Sequence, residues 1–419
     1  MSQDPASSVT TPAHGFPEED LRVDGENNSG YFPARLGMSL KENGPYFIVR
    51  KLGWGQASSV WLARDIALER FVSIKILTCE ATRAIKAGKA DELAMLQKIS
   101  TTDRSHPGSG HVVEYYETFD LEGPHGTHCC IVTEPLGFSL QFTRSLQLSQ
   151  GERMAPEDIA DTIRHVLLAL DYLHNSCGII HTDVKFDNIL YRPDDLTACI
   201  AHVLLTIPSE TYRCDPRARP VAFPVVSQPI TMYSPETDIQ KARVQAVITD
   251  FSHSHWANHR FQDEIQSYAL RAPEVILGYE WNGAVDVWSV GCLAAEMLTD
   301  HWLFQPRSEP GWDRDEDHLA RMTELLGEQF PLDMLEKCKH RSKYLKEDGS
   351  FAHFTHHEEP MLDLCNLLQQ RSYLMQSSPH EVEGALKFLK RCLKLRPEDR
   401  ESPAELAQDA WLVQERHPL

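Results

Sequence analysis

Positive charge is scarce in this sequence, and so are long apolar runs, paired cysteine motifs and internal repeats. Lysine and arginine number 41 against 61 aspartates and glutamates, a formal net charge of −20. A chain this acidic repels nucleic acid and anionic membrane and attracts basic partners. No stretch is apolar for long enough to cross a bilayer, and the best candidate, Val285 to Phe304, is interrupted by Asp286 and Glu296. The opening residues, MSQDPASSVTTPAHG, lack a basic start and an apolar core, which excludes a secretory signal. The ten cysteines are scattered, with no pair of CxxC units. They read as reduced thiols, mostly buried, and the adjacent Cys129 and Cys130 as core packing. His353, His356, His357 and Glu358 suggest a metal at first sight, but no second ligand group has matching spacing, and a solvated loop accounts for them.

What is present is the balance of a globular protein, 42% hydrophobic and 24% charged over 419 residues, a length suited to two lobes. Residues 1–33 are rich in Ser, Pro, Gly, Asp and Glu and read as a mostly disordered leader. From Tyr46 the runs YFIVRKLGWG, SSVWLARD and RFVSIKIL alternate as strands do, KADELAMLQKI has helical periodicity, and VVEYYETF and HCCIVTEPL return to strand-like patterning. This predicts a small sheet carrying one helix over 34–136. Beyond it, PEDIADTIRHVLLALDYLHN is amphipathic, with Ile159, Ile163, Val166, Leu167, Leu170 and Leu173 on one side. Further helices are predicted near Gly283–Thr299, Asp317–Leu326, Val382–Leu393 and Ala404–Ala410, giving a helical second part over 137–415. Residues 191–245, rich in Pro, Thr, Arg and Ser, fit neither part and read as an insertion or long loop.

Five short signals follow one another along the chain. In LGWGQASSVWL, Gly53 and Gly55 fall between two strands, where missing Cβ atoms let a backbone approach a polyphosphate; a tight two-glycine hairpin explains this segment alone equally well. FVSIKIL places Lys75 within a strand, by itself an ordinary edge charge, and Glu92 lies on the helix that follows. IIHTDVKFDNIL sets His181, Asp183, Lys185 and Asn188 inside an apolar frame. VITDFSHS carries Asp250 and Phe251, and RAPEVILG carries Ala272, Pro273 and Glu274. Each signal is modest and their order is specific.

That ordered set resembles the protein kinase signature: a glycine loop, a strand lysine, a helix glutamate, a catalytic loop, Asp-Phe-Gly and Ala-Pro-Glu. The resemblance implies an α+β, two-lobed kinase fold, with a small β-rich N-lobe carrying one main helix and a larger helical C-lobe. It implies ATP and Mg2+ as cofactors. Leu52, Gly53, Trp54, Gly55, Gln56, Ala57, Ser58 and Val60 would form the loop over the nucleotide, Lys75 would meet its phosphates, and Glu92 would pair with Lys75. Asp183 would accept the substrate hydroxyl proton, Lys185 would neutralise the γ-phosphate, and Asn188 and Asp250 would bind magnesium. Lysine two positions after the catalytic aspartate favours Ser/Thr over Tyr. A pseudokinase scaffold, the competing reading, would be favoured by loss of Lys75, Asp183 or Asp250, and all three are present.

More narrowly, RKLGWG–SSVWL, LALDYLHNSCGIIHTDVK and DHLARMTELLG resemble the SR-protein kinases, within the group that includes cyclin-dependent and mitogen-activated kinases. Residues 191–245 stand where that family carries a spacer. The resemblance implies Thr133 as gatekeeper, with Glu134 and Leu136 as hinge to the adenine. It further implies that Asp286 braces the catalytic loop, that Glu274 pairs with Arg400, and that Leu96, Phe251 and His181 stack. Substrates would be basic or Arg/Ser-rich proteins, acted on by a monomer in the cytoplasm with nuclear access, without direct nucleic-acid or membrane binding. Thr182 replaces the usual arginine of the catalytic loop, which implies activity without loop phosphorylation. Ser58 and Ser252 replace glycines, Phe186 a proline and Ser73 an alanine. Tyr268 and Leu270 stand where the family carries Arg and Tyr, which puts the Arg–Ser preference in question. Asp317 and Glu324 match an acidic docking groove, but Arg321 lies between them on one helical face, so a salt-bridge ladder reads equally well.

Overall fold

The computed structural model describes residues 18–21, 30–40, 44–213, 224–230, 244–355, 362–372, 374 and 379–413. Most of the leader and the residues His356, His357 and Glu358 lie outside the described residues. In chain order the principal elements are β1 (Tyr46–Gly55), β2 (Ser58–Asp65), β3 (Arg70–Leu77), α1 (Cys79–Lys86), α2 (Glu92–Thr101), β4 (Tyr115–Gly123) and β5 (Gly126–Thr133). Then come α3 (Leu140–Ser149), α4 (Pro156–Asp171), α5 (Leu196–Thr206), α6 (Pro273–Leu277), α7 (Ala284–Thr299) and α8 (Arg314–Leu326). They group into two compact units, one of Met1–Leu93, Val113–Phe138 and Tyr191–Val244, the other of Ala94–Val112, Ser139–Leu190 and Gln245–Leu419.

The first unit is built on an antiparallel sheet in the order β1-β2-β3-β5-β4. Period-two alternation sends Tyr46, Ile48, Trp61, Ala63, Val72, Ile74, Ile76, Cys130 and Val132 into one core, joined by Phe32 and Leu40. The opposite face of β2 presents Leu62, fully buried against Cys199, Ile200 and Val203 of α5 and against Ile230. Part of 191–245 is thus a capped helix laid on the sheet, with Asp195 accepting from the Ala198 amide. Composition hid this, because the apolar run LTACIAHVLLT sits amid polar sequence. The described pieces of the leader, 18–21 and 30–33, are buried too, against the disorder expected of them. Glu18 and Glu19 both meet the ammonium of Lys51, which is itself fully buried. Neighbouring Arg50 donates to the carbonyls of Ile207 and Gln228 at 2.8 and 3.0 Å.

The second unit packs around α4 and α7. Helix α4 opens on Pro156 with Glu157 and Asp158 in its first turn, where acidic side chains favour the helix dipole. It buries the apolar face expected from the sequence. Every residue of α7 from Val285 to Thr299 is buried, which explains why the run reads apolar all round. A Cβ on Gly291 would come within 2.8 Å of Cys392 and Leu393, so glycine lets the helix Pro379–Cys392 pack close. No helix among the described residues is long and apolar enough to cross a membrane.

Candidate active site

In the first unit, β3 carries Lys75 between Val60 of β2 and Ile131 of β5. Since Ile74 and Ile76 enter the core, alternation puts Lys75 on the other face, and its ammonium lies 2.6 Å from Glu92 Oε1 at the start of α2. Glu92 is nearly buried, so the pair is a firm one. Strands β1 and β2 close into a hairpin whose register pairs Gly53 with Val60, Trp54 with Ser59 and Gly55 with Ser58. Nothing lies within 4 Å of where a Cβ on Gly53 or Gly55 would stand, so the backbone there faces open space. Trp54, Gln56 and Ala57 are exposed, Ser58 is buried, and Leu52 packs toward the α5 cluster. After β5, the Glu134 carboxylate is held by Arg192, which donates from Nε to Oε2 at 2.8 Å and from Nη2 to Oε1. The Glu134 amide donates to the Glu114 carbonyl, and Leu136 is buried. Arg192 was not singled out by its sequence.

In the second unit, short strands Ile179–Ile180 and His255–Trp256 pair and bring the catalytic-loop motif beside the Asp-Phe segment. Asp183 Oδ2 accepts from Lys185 Nζ at 2.6 Å and from Asn188 Nδ2 at 2.9 Å. His181 Nε2 donates to the Thr249 carbonyl at 3.0 Å, which leaves Nδ1 to accept from the Asp183 amide at 3.3 Å. The ring of Phe251 meets that of His181 edge-on at 5.2 Å. Thr182 and Asp250 both adopt positive φ, 61° and 63°; aspartate tolerates that region, whereas a β-branched side chain holds it only when its surroundings impose it. For Thr182 they do: its amide donates to Asp286 Oδ1 at 2.8 Å, and its hydroxyl to the His253 carbonyl at 2.6 Å.

Asp286, wholly buried on α7, also accepts from the His181 amide and from His174 Nε2, each at 2.8 Å. Burial pushes its carboxyl up, but the hydrogen bonds from His174 and from the His181 amide help hold it below the usual range. Glu274 receives Arg400 at 2.5 and 2.8 Å, both side chains fully buried. The structure thus forms the brace and the ion pair that the resemblance implied.

A sequence model described as the protein kinase domain matches residues 46–201 and 238–412. The chain belongs to the protein kinase domain family. The gap in the match falls within 191–245, the stretch that fits neither part of the sequence pattern. Among relatives, the serine/threonine-protein kinase SRPK of Physarum polycephalum is 31% identical over 95% of this chain and 92% of that one. Protein kinase dsk1 of Schizosaccharomyces pombe is 27% identical over 93% and 84%, and human SRSF protein kinase 3 is 26% identical over 91% and 88%. A solved kinase-domain crystal structure superposes with a TM-score of 0.63 at 24% identity, covering 91% of this chain and 98% of that one. The fold is the two-lobed kinase fold, and the chain is an ATP-dependent serine/threonine protein kinase, of a family whose catalysis is typically magnesium-dependent.

Among the described residues no group of three or more His, Cys, Asp or Glu is arranged to hold a metal by itself. Asn188 and Asp250 offer hard oxygen donors, the kind magnesium takes, and Asn188 spends its amide nitrogen on Asp183, which turns its oxygen to other use. The acidic run before and within α8 is internally engaged. Asp313 caps the helix and meets Lys343 at 3.1 Å. Asp315 accepts from Tyr268 and Tyr344 hydroxyls at 2.8 Å each. Glu316 takes the His353 and Phe354 amides, and Asp317 takes the Arg307 amide and Arg321. His353 gives Glu316 both its amide and its ring Nδ1, at 2.8 and 3.0 Å.

Proposed function

We propose that this kinase transfers the γ-phosphoryl group of ATP to serine in basic, Arg/Ser-rich protein segments, as SR-protein kinases do. The observation that carries the catalytic part is the constellation at Asp183. A carboxylate fixed by Lys185 and Asn188 sits in a loop pinned by Asp286, so little reorganisation is needed when the substrate hydroxyl arrives. Asp183 takes up the hydroxyl proton. Lys185 turns to the γ-phosphoryl oxygens as charge develops there. Lys75, aimed by Glu92, holds the other phosphates, and the Leu52–Val60 hairpin covers them. The Glu134 carbonyl and Leu136 amide bind adenine, Pro135 having no N–H. Asn188 and Asp250 would hold magnesium, which neutralises phosphate charge when bound. The Arg/Ser part rests on the names of the relatives and on the net charge of −20. The reading carries with it a monomer working in cytoplasm and nucleus.

A second reading, a basic substrate chosen without Arg–Ser repeats, is favoured by the engagement of Asp317 with Arg321 and with the Arg307 amide, which occupies one of the two acids matched to a docking groove. ATP-dependent labelling of an Arg–Ser peptide, of a generic basic protein and of the same peptide with tyrosine for serine, with Asp183→Asn as control, decides among them. Labelling of the Arg–Ser peptide that the variant abolishes supports the first reading, and labelling of the basic protein alone replaces it with the second. ATP binding without any labelling would refute both in favour of a scaffold.

A further inference from the structure

Beyond the kinase signature, one leader residue touches the hairpin assigned above to the nucleotide. The Tyr31 hydroxyl donates to the Gly55 carbonyl at 2.6 Å and lies 3.1 Å from that of Gln56, a shared hydrogen bond at the hairpin turn. Its ring meets Trp54 edge-on at 6.3 Å. The turn has little other support: Gly53 and Gly55 face open space and Gln56 is exposed, while the Ala57 carbonyl is held by the Thr78 amide.

Tyr31 itself is anchored. It is 6% exposed, and the preceding Gly30 accepts from the Cys79 amide at the start of α1. Gly30 has φ +73°, and a Cβ there would come within 3.2 Å of Cys79 Cβ, so glycine is what lets the leader lie this close to α1. Burial, then the carboxylates of Glu19 and Asp20, push the Tyr31 hydroxyl up to about 12, which keeps it a donor throughout the working pH range. Glu18 and Glu19 hold the same strand further back, at Lys51. The leader therefore grips β1 behind the glycines and at the turn beyond them.

We propose that Tyr31 is a positioning residue for the nucleotide: its hydroxyl fixes the Gly53–Ser58 turn in the conformation that covers the phosphates. This rests on the assignment of that hairpin to ATP. A glycine turn without a tether samples many conformations, and each nucleotide that binds must then order it again. One hydrogen bond from outside the hairpin removes part of that cost.

The test is Tyr31→Phe in the full chain, which deletes the bond and keeps the ring. Affinity for ATP with Mg2+ should weaken about 3- to 10-fold by calorimetry, the range one buried hydrogen bond supplies. The KM for ATP should rise by a similar factor, while the KM for peptide and the thermal midpoint stay as in the parent. Amide exchange across 54–58 should quicken. Unchanged ATP affinity with unchanged exchange overturns the proposal, as does a rise in both KM values together with a lower midpoint, which marks a general loss of structure. Should the parent bind no ATP, the nucleotide assignment fails, yet exchange at 54–58 still reports whether Tyr31 tethers the turn.

Discussion

Replacing Asp286 with asparagine tests whether the catalytic loop is held from behind. The carboxylate serves three donors: Oδ1 takes the Thr182 amide, and Oδ2 takes the His181 amide and His174. An asparagine keeps the shape but offers only one acceptor atom. If its NH2 lies at the Oδ1 position it faces the Thr182 N–H; if at Oδ2, the His181 N–H. Either orientation leaves one buried backbone donor unpaired, at about 1–3 kcal/mol, and removes charge assistance from the bond that survives. The loop already carries strain, since Thr182 is held at positive φ, a state costing on the order of 1–3 kcal/mol that persists only when its neighbours impose it. A deficit of about 2–4 kcal/mol falling on the loop corresponds to roughly a 30- to 1000-fold loss of kcat. Steady-state assay with saturating ATP and peptide should show that loss, with ATP affinity within about twofold of the parent. A kcat within about threefold of the parent would refute the reasoning, because it would mean that the loop keeps its conformation without its brace.

Glu274→Gln leaves the fully buried Arg400 facing a neutral partner, and a guanidinium cannot shed its charge. The cost should be about 3 kcal/mol or more, seen as a thermal midpoint lowered by several degrees, and a shift under about 2 °C would contradict it. Because Thr182 holds the segment after Asp250 through its own hydroxyl, phosphatase-treated protein should keep its activity, whereas Thr182→Val should lower kcat; a treated enzyme that falls silent would overturn this. His318 is wholly buried between Tyr268 and Phe304, and burial, outweighing Asp317 and assisted by Arg271, Arg321 and Arg314, drives its imidazole down to about 3. A histidine whose folded value is depressed stays neutral while the unfolded chain takes up a proton, so stability is lost as pH falls from about 6.5 towards 3. At pH 5 the loss from this group is about 2 kcal/mol, and His318→Phe should show a flatter fall of thermal midpoint between pH 7 and 5; equal slopes would disprove it.

Strands β1 to β3 were legible because alternation and a glycine turn leave one way to bury Tyr46, Ile48, Trp61, Val72 and Ile74. The segment from His181 to Asn188 stood out because polar side chains at fixed spacing inside an apolar frame need a reason to be there, and the structure gathers Lys185 and Asn188 on Asp183. What stayed hidden depends on partners distant in the chain. Lys51 and Arg50 look like surface charges in an alternating strand, yet both are buried, one by leader carboxylates and the other by carbonyls of Ile207 and Gln228. The sequence of α5 shows an apolar helix but not that Leu62 receives it. The run from Asp313 to Asp317 reads as a charged face, and only the tertiary arrangement supplies Tyr268, Tyr344, His353 and Arg307 as its partners.

Those partners bear on substrate choice more than on stability. A docking acid must be able to exchange its present partner for a basic peptide, and the exchange is nearly neutral only where that partner is itself exposed and screened. Asp317 is 2% exposed and bound to a backbone amide as well as to Arg321, so a peptide arginine would have to displace a buried contact to reach it. Asp315 is tied to two tyrosine hydroxyls, and Arg314 lies over the ring of Tyr268 at 3.9 Å, so opening one carboxylate disturbs the stack. Tyr268 is therefore the residue to change if Arg–Ser selectivity is weak. Tyr268→Arg would remove one hydroxyl from Asp315 and bring a guanidinium to the same place, and the ratio of kcat/KM for Arg–Ser peptide over generic basic protein should change by about tenfold, while kcat on the better substrate holds. An unchanged ratio would move the search for specificity away from this segment.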